Sequence, residues 1–263
     1  MLIKKGISYT KKQNILKVKS IIVSQPEPET AKSPYYELAE KYGLKIDFRP
    51  FIQVEGVPGK EFRNHRIYIL EHTAVIFTSR TAIDHFFRVS QELRLTIPDT
   101  MKYFCISEAT AFYLQKYIVY RKRKIFYADG KFSDLICVMK KHKDEKFLVP
   151  LSDIHKQEIP DLLDAEGYKY TKAILYRTVS ANLSDLNDIQ YDILVFFSPQ
   201  GIRSLLQNFP NFVQNDTRIA CFGPTTAKAI REIGLRLDIE APTAQAPSMT
   251  MALEQYIKKH NKV

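Results

Sequence analysis

Apolar runs of four to six residues alternate along the chain with amphipathic stretches of about ten, the pattern of parallel strands joined by crossover helices. The pattern predicts strands at Val18 to Ser24, Lys45 to Arg49, Ala74 to Phe77, Tyr103 to Ile106, Lys124 to Tyr127, Phe147 to Val149, Lys169 to Leu175, Ile193 to Phe197, Arg218 to Phe222 and Arg236 to Ile239. Ile193-Leu194-Val195-Phe196-Phe197 is apolar at every position, as a central strand covered by helices on both faces must be. Ten strands in one sheet would be unusual for 263 residues, so two sheets of about five are expected.

A weak internal repeat supports the division. Phe77-Thr78-Ser79 with Ile83 matches Phe196-Phe197-Ser198 with Ile202. Cys105, Thr110 and Ala111 then match Cys221, Thr226 and Ala227, and Ser133 matches Ser248, at nearly constant offset. The repeat starts only near residue 74, yet a strand, a helix from Ser33-Pro34 to Gly43 and a second strand are complete before residue 50. Joined to the C-terminal half, that leading unit makes a discontinuous domain of residues 18–50 and 179–263. Residues 51–178 form the second domain, with linker strands at its ends. The predicted fold is thus α/β: two flavodoxin-like parallel-sheet domains joined by a two-stranded linker, with a cleft between them.

Composition narrows the function. An apolar content of 45% is too high for disorder, and no run of about 18 apolar residues is present to span a membrane. With no secretory signal pattern at the start, a cytoplasmic location is expected. Three scattered cysteines, Cys105, Cys137 and Cys221, suit neither a disulfide framework nor a zinc site and are expected as reduced core thiols. The net charge of +10 invites a nucleic-acid reading, but six of those charges are lysines within residues 1–20, which contain no acid, leaving +4 for the rest. Residues 1–17 read as a basic extension, and Arg121-Lys122-Arg123-Lys124 as the solvated start of a strand. Nucleic acid is therefore not an expected partner.

In open parallel sheets, ligands bind outside the carboxyl ends of the strands. Thr78-Ser79, Ser107 with Thr110, Ser198-Pro199-Gln200-Gly201 and Gly223-Pro224-Thr225-Thr226 all follow predicted strands and open helices. Each offers hydroxyls and backbone N–H groups where an anion is attracted, although Ser and Thr are also the ordinary helix caps. No metal-binding histidine pattern, nucleophile elbow, Walker loop or dinucleotide fingerprint is present. Tyr176, in the predicted return strand, is the candidate acid; its alternative is simple packing.

Val195-Phe196-Phe197-Ser198-Pro199-Gln200-Gly201, then Cys221-Phe222-Gly223-Pro224-Thr225-Thr226-Ala227-Lys228-Ala229, then Glu240-Ala241-Pro242 with Ser248, resemble the uroporphyrinogen-III synthase family. Ile76-Phe77-Thr78-Ser79 and Leu175-Tyr176-Arg177-Thr178 stand where that family has a strand-end loop and its return linker, and the resemblance covers roughly residues 18 to 260. It implies a cofactor- and metal-independent, monomeric lyase that cyclises the octacarboxylate hydroxymethylbilane to uroporphyrinogen III, losing water and inverting ring D. It further implies Tyr176 as the group assisting departure of the hydroxyl, and Ser198, Gly201, Thr225 and Thr226 as binding loops of the first domain. Thr78 and Ser79 take that role in the second, and Lys156 falls near a basic position of the family. The glycine-rich loop implied before Lys156 reads Pro150-Leu151-Ser152-Asp153 here. A different class remains open at this point: a non-catalytic two-domain sensor of a polyanion or tetrapyrrole, using its basic arm to contact nucleic acid.

Overall fold

The computed structural model describes residues 17–186 and 189–261. The basic extension therefore lies outside the described residues, except for the exposed Lys17. The chain begins with β1 (Ser20–Val23), α1 (Pro34–Tyr42) and β2 (Lys45–Phe48). It continues through β3 (Ile52–Gly56), α2 (Gly59–Asn64), β4 (Ala74–Phe77), α3 (Arg80–Glu92), β5 (Lys102–Cys105) and α4 (Glu108–Tyr113). There follow β6 (Ile125–Tyr127), α5 (Phe132–Met139), β7 (Phe147–Ser152), α6 (Glu158–Ala165) and β8 (Tyr170–Ser180). The last elements are β9 (Ile193–Phe196), α7 (Pro199–Asn208), β10 (Arg218–Phe222), α8 (Pro224–Glu232), β11 (Ile239–Ala241) and α9 (Met249–His260). The chain divides into two compact units, one running to Gln53 and resuming at Ser180, the other spanning Val54–Val179. Among the described residues no helix is long and apolar enough to cross a membrane.

The first unit holds a five-stranded sheet, β11-β10-β9-β1-β2, whose neighbours all pair in parallel. Alternation along each strand divides its side chains between two cores. Ile21, Val23, Ile193, Val195 and Ala220 meet α1 and α9 through Leu38, Leu253 and Ile257. Ile22, Leu194, Phe196, Ile219 and Cys221 meet α7 and α8 through Ile202, Leu205, Ala227 and Ile230. The second unit carries a six-stranded sheet in the order β3-β8-β7-β4-β5-β6 and repeats the device. Val75, Phe77, Tyr103 and Leu148 pack under α3 and α4, while Ile76, Phe104, Phe147 and Val149 pack under α5 and α6.

Several sequence expectations need correction. β3 is missing from the ten bounded strands: the pattern predicts a linker strand at the start of residues 51–178 but sets no limits to it, because Ile-Gln-Val-Glu-Gly has no apolar run and Val54 is half exposed at the sheet edge. The last strand starts at Ile239, not Arg236, because the preceding residues are drawn to a loop. There Arg236 N–H donates to Gln214 Oε1 (2.7 Å), its guanidinium bonds the Asn215 and Thr217 carbonyls, and Asp238 accepts from Ile219 N–H (2.9 Å). Cys105 and Cys221 are core thiols, pushed by burial up to about 12 and about 11, but Cys137 is exposed on α5. The equivalence of Ser133 and Ser248 also fails, since Ser248 caps α9 whereas Ser133 lies inside α5. In the basic run, Arg121 and Lys124 lie 3.8 and 4.0 Å from the Asp99 carboxylate.

Asp192 fastens the first unit's central strands. Its carboxylate accepts from the Lys19 and Ser20 N–H groups (2.8 and 2.9 Å) and from the Ser20 hydroxyl (3.1 Å), pinning the start of β1 beside β9. Removing it strands three donors at a partly covered strand end. Asp192→Ala is predicted to lower unfolding free energy by about 1–3 kcal/mol, read as a lower urea midpoint at unchanged slope.

Candidate active site

Strand order reverses between β1 and β9 in the first unit and between β4 and β7 in the second. At such a switch point the following loops part and leave a crevice at the carboxyl ends of the strands. In the second unit the crevice is a cavity of about 380 Å³. Thr78 and Ser79 line it from the end of β4, Leu151 and Ser152 from the end of β7, and Tyr176 from β8. Lys131 and Ser133 enter from the start of α5, and His155 and Lys156 from the loop after β7. The structure therefore gathers Thr78, Ser79, Lys156 and Tyr176 in one place. Ser107 and Thr110 are outside this lining: their hydroxyls lie 3.0 Å apart, and Thr110 is buried.

Lys131, Ser133, Ser152 and His155 were not picked out from the sequence. Their signal was the same strand-end rule, applied to the ends of β6 and β7, where no serine–threonine pair marks the turn. Where the resemblance implies a glycine-rich loop, Pro150, Leu151 and Ser152 instead extend β7 beyond the predicted end at Val149, and the turn begins at Asp153, whose side chain builds it. Asp153 Oδ1 accepts from Ile154 N–H (2.9 Å) and Thr178 N–H (3.0 Å), while Asp153 N–H donates to the Tyr176 carbonyl (3.1 Å). The loop is thus tied to the strand bearing Tyr176. His155 Nδ1–H donates to the Ser152 carbonyl (2.9 Å), since that oxygen can only accept, and Nε2 is left for other partners.

Tyr176 sits at a register shift. Leu151 pairs with Ile174, but Ser152 pairs with Tyr176, so one residue of β8 is extra. Such bulges re-aim a side chain out of strict alternation. Leu175 and Tyr176 accordingly both pack against the core covered by α3. The phenol ring stacks on His85 of α3, with centroids 5.0 Å apart and planes 16° from parallel. Burial raises the Tyr176 phenol above its ordinary value, and the neighbouring Ser79 hydroxyl pulls the other way. Burial and the Arg88 guanidinium lower His85 below the usual imidazole value, against the pull of Asp84 and Glu92. His85 was passed over in the sequence because it belongs to no ligand-spacing pattern.

The remaining strand-end groups open helices. Ser79, Ser107 and Ser198 each accept from the N–H three residues on, at Ala82 (3.0 Å), Thr110 (3.3 Å) and Gly201 (3.2 Å). These hydroxyls are helix caps, as the sequence left open. Pro199 has no N–H to offer, and Gly201 is buried, with a side chain there pressed against the Phe196 ring at 3.2 Å. The start of α8 differs. Gly223 takes φ +93°, which a side chain would strain, and provides no side-chain cap. The first-turn N–H groups of Thr225 and Thr226 therefore lack a side-chain acceptor, with Thr225 exposed and the Thr226 side chain buried. Among the described residues no group of three or more His, Cys, Asp or Glu is placed to hold a metal ion.

A model of the uroporphyrinogen-III synthase family matches residues 33–251. A uroporphyrinogen-III synthase of Chlorobaculum parvum is 23% identical over 257 residues, covering 92% of this chain and 100% of that protein. One of Saccharomyces cerevisiae is 25% identical over 143 residues, covering 49% of this chain and 52% of that protein. The crystal structure of the Helicobacter pylori enzyme aligns with a TM-score of 0.56 at 18% identity, covering 92% of this chain and 100% of that one. With a family match that takes in most of the sequence, the chain belongs to the uroporphyrinogen-III synthase family.

Proposed function

We propose that this chain catalyses the family reaction, cyclising hydroxymethylbilane to uroporphyrinogen III with loss of water and inversion of ring D, and that Tyr176 is its acid. The observation that carries the assignment of Tyr176 is its place at the second unit's switch point, in a cavity shared with Ser79, Lys131, His155 and Lys156. Because burial raises its phenol above the ordinary value, the group keeps its proton at neutral pH, as a donor must. Donation to the departing hydroxyl releases water and leaves an electrophilic azafulvene, which ring D attacks through its substituted carbon. The spirocyclic intermediate then reopens and recloses with ring D inverted. Closure without inversion needs no enzyme, so the protein's task is positional.

The substrate's carboxylates give the lysines of the site a purpose. Lys131 and Lys156 are free of ion pairs among the described residues and line the same cavity as Tyr176. Within the first unit, the first-turn N–H groups of Thr225 and Thr226 have no side-chain cap and offer an anion a separate place to bind. Ser79, Ser107 and Ser198 then act by fixing helix starts, with Thr78, Thr110, Pro199, Gly201 and Gly223 shaping the turns. The same reading has the enzyme working as a cytoplasmic monomer, without organic cofactor or nucleic acid.

Fresh hydroxymethylbilane incubated with the protein is expected to give isomer III; isomer I alone, at the spontaneous rate, would sink the assignment. Tyr176→Phe is predicted to lower kcat at least about tenfold while the melting temperature stays within a few degrees. Wild-type activity should show no alkaline loss from this group up to about pH 9, since a raised phenol still holds its proton there. Ser198→Ala is expected to cost about 1 kcal/mol of stability, as loss of a cap does, with only a few-fold change in kcat/KM. Complete loss of turnover in a folded Ser198→Ala protein would show that its hydroxyl touches substrate.

A further inference from the structure

On α3, His85, Arg88 and Glu92 follow one another at spacings of three and four, so their side chains run along one face of the helix. Arg88 Nε–H donates to His85 Nδ1 at 3.1 Å. Arginine keeps its charge, so Nδ1 must present a lone pair and the imidazole carries its single proton on Nε2. Arg88 is itself held on three sides. One Nη2 bonds the Val57 and Leu175 carbonyls at 2.8 and 3.2 Å, and Nη1 pairs with Glu92. Glu92 in turn accepts from Gly59 N–H at 2.6 Å. Gly56 completes the seat: a side chain there would come within 2.7 Å of the guanidinium carbon.

The other charged groups near His85 are committed elsewhere. Asp84 accepts from Tyr113, Tyr117 and Lys116, and Glu92 from Arg88 and Gly59. What His85 offers to β8 is the face of its ring, and the Tyr176 phenol lies against it. Leu175, whose carbonyl receives Arg88, is the residue before Tyr176 at the bulge. One arginine thus fixes both the strand bearing the phenol and the ring that supports it.

We propose that His85, locked by Arg88, is a positioning residue for Tyr176, a plate that fixes the direction of the phenol hydroxyl in the cavity. This rests on the reading of Tyr176 as the acid. A phenol on a strand has more than one staggered orientation, and a misplacement of about 1 Å can cost on the order of 10²-fold in rate. Histidine suits the place better than a hydrocarbon ring because it supplies the stacking face and satisfies Arg88 at once.

The test combines a kinetic cycle with a resonance that reports Tyr176 itself. His85→Ala is expected to lower kcat by about 10- to 100-fold with KM changed less than about threefold, and His85→Phe, which keeps a plate, to recover most of the loss. In the Tyr176→Phe background His85→Ala should have no further effect, because the group it positions is gone. In protein labelled with 3-fluorotyrosine, the Tyr176 resonance, assigned by its absence in Tyr176→Phe, should shift or broaden in His85→Ala and stay near its wild-type place in His85→Phe. Equal kcat losses in both backgrounds, or an unmoved resonance in His85→Ala, would overturn the proposal. If His85→Ala does not fold, His85→Gln, which removes the plate but keeps an acceptor for Arg88, carries the same comparisons. Full kcat in Tyr176→Phe would overturn the reading of Tyr176 alone, and the resonance would still decide whether His85 holds the phenol in place.

Discussion

A strand buried on both faces satisfies its backbone through its neighbours, but the chain that leaves it for a helix must expose N–H groups that no helical carbonyl can reach. Among the described residues the helices that follow strands meet that constraint in different ways. Ser79, Ser107, Ser198 and Ser248 meet it with a hydroxyl. The start of α8 meets it with nothing from a side chain, because Gly223 stands at the cap. The turns that hold the fold together and the turns able to hold an anion are therefore the same turns. A serine at one of them is first a structural residue, and its role toward substrate runs through the backbone it arranges.

The same constraint separates two ways of making the site. On the β4 side the turn is short and capped, so Ser79 stays close to the strand end and to Tyr176. On the β7 side the chain has no cap of that kind, and Asp153 folds the loop by accepting backbone N–H groups from Ile154 and Thr178. That aspartate ties the loop bearing His155 and Lys156 to the strand bearing Tyr176. A glycine-rich turn would have left those residues to move independently of the phenol.

How far the site could be read from sequence follows from whether a contact is local. The limits of β4 and β10 were legible to the residue, because their apolar runs end at Thr78 and at Gly223. The limits of β3 were not, since an edge strand buries too little to show a pattern. Tyr176 was legible as the tyrosine of a return strand and of a family motif. The bulge beside it was not, because a register shift is a property of two strands together. His85 lies 91 positions before Tyr176, and nothing in the residues near either one states that their rings meet.

What joins them is visible only after folding. Arg88 needs acceptors, and it finds them in the Leu175 carbonyl at the bulge, the Val57 carbonyl beside it and His85 on its own helix. The Arg88 guanidinium is partly covered, and each covered N–H group has an acceptor, so these contacts tie helix, strand and loop together. The two glycines nearby, Gly56 and Gly59, are small for that reason: one leaves room for Arg88 and the other lets Glu92 approach its N–H. The short segment from β3 to α2 therefore bears on Tyr176 through Arg88. Its glycines seat the arginine, the arginine holds the strand and the imidazole, and the imidazole holds the phenol.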